Sequence, residues 1–306
     1  MKPYHLEKGD TIGVVAPSNS ITKGDLEYIN KSILLMESTG FQVEFGKHVF
    51  SNSTGYGASP KEKAEDLNNM FANPKIKAIF CVKGGEDSNT TFDYLDYETI
   101  KQNPKILCGF SDSTSILNAI YTKCDLVTFH GPTFKSLTSW DTEYSYVEIM
   151  KRLAKKELEL GQKEDEFQTI QEGTAEGVLI GGNLSLFSKL ICGKYQIDCK
   201  EKILFLEDLG YESMPQMVSS YFYYMKQNGV FDQIKGIWLG NYEHESNVSI
   251  EKILMDCLED GDYHFPIIKS NNFGHIDRKT TIPIGIKARI DTNKKEKIEL
   301  LENCVI

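Results

Sequence analysis

Residues 105–121, KILCGFSDSTSILNAIY, decide how this chain is read. An apolar segment suited to a β-strand (Ile106, Leu107, Cys108) runs through Gly109-Phe110-Ser111-Asp112-Ser113 into a helical pattern. That pattern repeats apolar residues at Ile116, Leu117, Ile120 and Tyr121. A serine on a strand-to-helix turn, with small residues two positions either side, has the form of a nucleophile elbow. The turn is tight and its backbone packs closely, so small flanks suit it. The N–H groups that open the helix can stabilise negative charge. The α/β-hydrolase form of the elbow has a second glycine where this chain has Ser113, and Ser111 or Ser113 also suits a plain helix cap.

Strand and helix alternate around this stretch. A strand is expected at 11–16 (TIGVVA), with a turn at 17–20, then a helix over 25–38 and a strand over 41–45. Ser59-Pro60-Lys61-Glu62 carries a cap serine, a first-turn proline and a capping-box glutamate. Strands at 77–82 and 126–130 complete the series, the first ending in KGGEDSN at 83–89. Such alternation specifies a parallel sheet with helices on both faces, whose functional residues lie at the carboxyl ends of strands. The turns at 17–20, 83–89 and 111–114 meet that condition.

From 137 to 173 the chain is polar and charge-rich, with a helix expected near 146–154. Beyond it, β-type segments at 175–180, 202–206, 236–239, 267–268, 285–290 and 297–301 crowd together, with a helix over 217–228, as in a mixed sheet. The expected division is an α/β nucleophile domain at 1–140, a linker region at 141–173 and a second domain at 174–306.

The 306 residues suffice for two cores, and 40% hydrophobic with 25% charged residues is ordinary for a globular protein. A net charge of −10, with no basic stripe, argues against nucleic acid and against an anionic membrane as partners. The first 20 residues show no signal-peptide pattern, and no apolar run reaches membrane-spanning length. Seven widely spaced cysteines without CxxC pairs read as reduced and mostly buried. The expectation is a cytoplasmic protein with neither structural metal nor cofactor.

A serine nucleophile needs a base, itself oriented by an acid. Six histidines can supply the base. His5 lies in the N-terminal tail, while His48, His244 and His264 sit in polar, turn-like surroundings. His130 ends a strand and is a second candidate. His275 lies in a loop behind Gly274, between two β-type segments, and is the first. Glu207 follows the apolar strand Ile203-Leu204-Phe205-Leu206, although Glu207-Asp208 also suits an ordinary turn. The order Ser111, Glu207, His275 is nucleophile, acid, base. Oxyanion donors are expected at the Asp112 and Gly85 N–H groups. A phosphate cradle at 83–89 lacks both the Walker and the G-x-G-x-x-G spacing. A cysteine nucleophile at Cys108 fits poorly, because that residue points into the strand.

These residues match a known family. The sequence resembles the LD-carboxypeptidase family of serine peptidases, especially the branch of microcin C immunity peptidases, over nearly its whole length. The resemblance rests on GDTIGVVAPS at 9–18, GGEDSN at 84–89, NPK at 103–105, GFSD at 109–112, GGNLS at 181–185, LFLED at 204–208, FGH at 273–275 and IPIG at 282–285. It implies a triad of Ser111, Glu207 and His275, and an amidotransferase-like α/β domain followed by a smaller β-rich α/β domain. It further implies a homodimer and metal-independent amide hydrolysis. Substrates in the family are murein tetrapeptides, which lose a terminal D-alanine, or acidic aminoacyl-nucleotide conjugates. Gly84, Glu86 and Trp140 are candidate substrate contacts, with Tyr144 a further aromatic in the variable region. The rival from another class is a non-catalytic peptide- or nucleotide-binding module built on the two Gly-Gly turns.

Overall fold

The computed structural model describes residues 1–160, 167–242 and 248–306. Strands β1 (Thr11–Val15), β2 (Gln42–Phe45), β3 (Ile76–Cys81), β4 (Ile106–Gly109) and β5 (Thr128–His130) form the first sheet in the order 5-4-3-1-2, all parallel. Helices α1 (Leu26–Ser38), α2 (Pro60–Ala72), α3 (Tyr97–Gln102) and α4 (Ser113–Cys124) connect them. The capping box at Ser59 forms as the sequence implies: Glu62 N–H bonds Ser59 Oγ at 3.4 Å, and Ser59 N–H bonds Glu62 Oε2 at 2.7 Å. Strand order reverses between β1 and β3. A crevice opens at such a reversal beyond the carboxyl ends of the strands, and ligands bind there in open α/β sheets.

The region read as a linker holds more structure than its composition implies. After the short α5 (Ser136–Ser139), α6 (Thr142–Leu153) starts four residues earlier than expected, capped by Asp141, whose carboxylate accepts the Tyr144 N–H at 3.1 Å. Then β6 (Phe167–Gln171) joins the second sheet as an edge strand, antiparallel to β10 (Ile267–Ser270). Its residues are exposed or half-buried, so it lacks the apolar signature of a core strand.

The second sheet places β7 (Thr174–Asn183), β8 (Lys202–Asp208), β9 (Gly236–Tyr242) and β10 in parallel succession. Two further strands, β12 (Lys287–Asp291) and β13 (Ile298–Leu300), pair antiparallel beyond β7. Helices α7 (Leu184–Phe187), α8 (Pro215–Gln227) and α9 (Ile250–Leu258) belong to this half. The remaining strand, β11 (Ile282–Ile284), does not join it. It pairs antiparallel with β5 and closes the first sheet, so a late segment of the chain completes the earlier half.

The two sheets share one contiguous apolar cluster. Helix α4 is the hinge pin between them. Asn118, fully buried, donates to Gly181 O at 2.8 Å and accepts from Gly181 N–H at 3.4 Å. Thr114 Oγ1 accepts from Asn183 N–H at 3.0 Å. Gly181 and Gly182 have φ of +140° and +128°, and a Cβ on Gly182 would stand 2.5 Å from Thr114 Oγ1. Among the described residues no helix is long and apolar enough to cross a membrane.

Candidate active site

Ser111 stands between β4 and α4 with φ of +60°, a left-handed conformation in a residue other than glycine. This costs on the order of 1–2 kcal/mol and must be enforced by its surroundings. Small neighbours enforce it: a Cβ on Gly84 would lie 2.9 Å from Ser111 Oγ, and one on Gly109 would lie 2.8 Å from Ser113 Oγ. The strand–turn–helix context of an elbow is therefore present. The plain cap is absent, since neither serine caps α4, whose N-cap position is Asp112.

Asp112 binds the three strand-end turns into one unit. Its Oδ2 accepts the Ser18 hydroxyl and, at 2.8 Å, the Ser88 N–H, while its carbonyl accepts Ser88 Oγ at 2.7 Å. The carboxyl is nearly inaccessible, and burial raises its pKa. Asp112→Ala would strand the buried Ser18 and Ser88 donors, so a loss of roughly 1–3 kcal/mol is expected in urea denaturation. Gly85, with φ of +159°, lies against the same unit; a Cβ there would stand 2.3 Å from Ser18 Oγ.

Glu207 sits within β8 at its carboxyl end and is fully buried. His275 Nδ1 lies 2.7 Å from Glu207 Oε2. Burial works to raise the Glu207 pKa, but the charge and hydrogen bond of His275 outweigh it and hold the carboxyl below its ordinary value. Gly274, with φ of +111°, lets the loop deliver the imidazole: a Cβ there would meet Glu207 Oε2 at 3.0 Å. Next to it, burial and the Glu207 charge push Asp208 up to about 6. Asp208 accepts from Asn183 Nδ2 at 3.0 Å, Ser185 N–H at 2.8 Å and Leu209 N–H at 2.9 Å.

The Ser111 turn and the His275–Glu207 pair meet through Phe110, whose ring centroid lies 5.0 Å from that of His275. Among the described residues Ser111 Oγ makes no hydrogen bond; such nucleophile–base contacts commonly tighten only around substrate. A cavity of about 70 Å³ opens at Ser111, lined by Gly85, Glu86, Asp112, Lys189, Asp208 and Glu212 among others. Trp140 stacks instead over Lys279 beside Phe110, and Gly84 lies directly against the serine.

The other histidines have different surroundings. His130 is buried among Phe110, Phe205 and Phe273, and burial lowers its pKa to about 4. His5 contacts the Ile306 carbonyl, His48 lies between Glu62 and Glu65, and His264 faces Asp262. His244 is outside the described residues. Cys108 is fully buried, points its thiol at Pro132 O, and has a pKa raised well above the ordinary value, which leaves little thiolate. The Asp112 brace, Lys189 and Lys279 were not singled out from sequence. Their parts depend on partners distant in the chain.

A parallel sheet with the Ser111 turn at its strand ends, and a glutamate–imidazole pair carried by a second sheet and the loop beyond it, define a mixed α/β architecture of two sheets. The LD-carboxypeptidase N-terminal domain family matches residues 12–131, and the LD-carboxypeptidase C-terminal domain family matches residues 176–290. A probable murein peptide carboxypeptidase of Bacillus subtilis is 31% identical, over 97% of this chain and 93% of that protein. The crystal structure of an MccF-like protein from Bacillus anthracis superposes with a TM-score of 0.86 at 31% identity, covering 98% of both chains. The microcin C7 self-immunity protein MccF in complex with aspartyl sulfamoyl adenosine gives a TM-score of 0.90 at 25% identity, covering 100% of both. The chain belongs to the LD-carboxypeptidase family of serine-type peptidases.

Proposed function

We propose that the protein hydrolyses an amide bond with Ser111 as nucleophile, His275 as base and then acid, and Glu207 as the group that orients the imidazole. The observation that carries this reading is the 2.7 Å His275–Glu207 contact, made beside the left-handed Ser111 turn. With Nδ1–H committed to Glu207, Nε2 is the nitrogen left to accept a proton. Ser111 Oγ attacks the scissile carbonyl as its proton passes to His275, and the resulting imidazolium pairs with Glu207. The Gly85 and Asp112 N–H groups hold the oxyanion. Collapse of the intermediate expels the amine, protonated by His275, and leaves an acyl ester on Ser111. Water activated by His275 then releases the acid and restores the serine. These steps require neither metal nor cofactor. In this reading residues 1–140 supply the nucleophile and residues 174–306 the acid and base.

The substrate we assign is a murein tetrapeptide, which would lose its terminal D-alanine. Support comes from the name of the Bacillus subtilis relative and from the cavity lining, which holds four carboxyl residues, Glu86, Asp112, Asp208 and Glu212, and one lysine, Lys189. Such a lining suits the ammonium group of a diamino acid. A second reading, cleavage of an acidic aminoacyl-nucleotide conjugate, is favoured by GGEDSN at 84–89 and by the likeness to MccF bound to aspartyl sulfamoyl adenosine. Family resemblance adds a homodimer to either, and the cysteine usage adds a cytoplasmic setting.

A mass-spectrometric digest of a murein tetrapeptide and, separately, of aspartyl sulfamoyl adenosine separates the readings. D-alanine release by the wild type that is lost in Ser111→Ala is the expected result. Cleavage of the adenosine conjugate alone would move the protein to the second reading. No product from either, with tight binding unaffected by Ser111→Ala, would favour the binding module.

A further inference from the structure

Lys279 is a buried lysine beside the site whose amine finds no polar partner among the described residues. It is 2% exposed. The nitrogen lies 2.9 Å from the Trp140 ring centroid and 4.4 Å from that of Phe110, the residue that also touches the His275 ring. An ammonium carries three donors, and leaving all of them unmet away from water is strongly unfavourable. Two aromatic faces recover only part of that loss. Burial accordingly draws the amine down to about 6, against the opposing pull of Glu207 and Asp277.

The charged groups around it are few. Glu207 comes from β8 and His130 from β5, while His275 and Asp277 share the loop of Lys279. Arg278 is turned away onto Asp141, with its Nε at 3.1 Å, and Asp208 is engaged by Asn183, Ser185 and Leu209. His130 is held neutral by its burial. Glu207 is therefore a fully buried carboxylate whose charge acts on His275, His130 and Lys279, and of these burial already keeps His130 neutral. When His275 takes the serine proton its imidazolium needs that charge, and an ammonium at Lys279 would compete for it.

We propose that Lys279 stands in the site as an uncharged amine, and that its neutrality reserves the negative charge of Glu207 for the His275 imidazolium. It acts through His275 and is a positioning residue. The proposal rests on the Ser111–His275–Glu207 reading. Its rival is a charged clamp, in which the ammonium grips Trp140 and Phe110 to hold the His275 loop in place. The two predict opposite orders for the same pair of substitutions.

Labelling of the full chain by an alkyl fluorophosphonate, followed from about pH 5 to pH 9, reads the reactivity of Ser111 without a natural substrate. Wild type is expected to outpace Lys279→Arg by about tenfold at alkaline pH, the equivalent of about one pKa unit of repulsion against the imidazolium. That gap should close as the pH falls below about 6, where the wild-type amine itself gains a proton. Lys279→Met should label faster than Lys279→Arg throughout. An arginine variant matching wild type, with the methionine variant slow, would establish the clamp and overturn the proposal.

Thermal unfolding gives a second readout that stands even where the arginine variant fails to fold. The amine holds its proton more weakly folded than unfolded, so protonation favours the unfolded chain. The penalty is complete below about pH 6 and fades as pH rises towards the ordinary lysine value. Lys279→Met should raise Tm, most at the acid end; a lowered Tm would overturn the proposal. Labelling that survives Ser111→Ala would instead overturn the triad reading, a separate failure.

Discussion

Ser111→Ala and His275→Ala are each expected to lower turnover by roughly 10⁴- to 10⁶-fold, and the double variant is expected to be little worse than either. In the proposed triad the reason is mechanical. Ser111 without a base keeps its proton, and His275 without the hydroxyl has nothing to activate. Either loss therefore abolishes the same step. Residual rate would come from the Gly85 and Asp112 N–H groups and from binding alone, which neither substitution removes. Glu207→Gln should cost less than either, because it leaves the imidazole in place while disturbing its tautomer and the support of its cation. The check is kcat and kcat/KM for all four variants on the substrate identified by the digest. Losses that add logarithmically would show two residues working independently and would break the triad assignment.

Gly181→Ala should be the most destabilising single-methyl addition in the molecule. A Cβ at this position would stand 2.0 Å from the carbonyl oxygen of Phe205 and 2.9 Å from its nitrogen, both main-chain atoms of β8. A flexible side chain could swing aside, but a central strand cannot. The φ of +140° adds a conformation that alanine rarely adopts. The clash falls where β7 pairs with β8 and where Asn118 of α4 bonds the Gly181 main chain, so strand pairing and the contact between the sheets suffer together. A loss of about 4 kcal/mol or more is expected from urea denaturation, at the extreme of single substitutions. Gly193→Ala is the matched control: its φ of +83° is also left-handed, but nothing lies within 4 Å of the added carbon, so only the backbone strain remains. Equal losses at the two sites would mean that conformation, and not the approach of β8, governs Gly181.

What could be read from the sequence alone was whatever has a local cause. The elbow at Ser111, the capping box at Ser59 and the placing of Glu207 at the end of an apolar run each depend on residues within a few positions. Their periodicity or turn chemistry is visible in one dimension. Gly274 before His275 belongs to the same class. The elements that escaped have distant causes. Strand β6 is a half-exposed edge whose partner, β10, lies about 100 residues on, and its composition reads as polar linker. Strand β11 is three residues long and is defined only by its pairing with β5. Lys279, between Arg278 and Thr280, reads as an ordinary surface lysine. Its burial is imposed by Trp140 and Phe110, far earlier in the chain.

The closure of the first sheet by β11 also sets a schedule. In the order of synthesis β5 comes early, yet the strand that covers its edge is not made until residues 282–284. Until then the earlier half waits with an open flank, and the imidazole at 275 is strung on the segment that will seal it. In the proposed triad, closing that flank and bringing in the base are thereby coupled. A nascent or truncated chain that ends before residue 282 can hold the serine turn but leaves the β5 edge without its partner strand. Arrangement of the strands thus ties completion of the first sheet to synthesis of a segment that belongs, in sequence, to the other half.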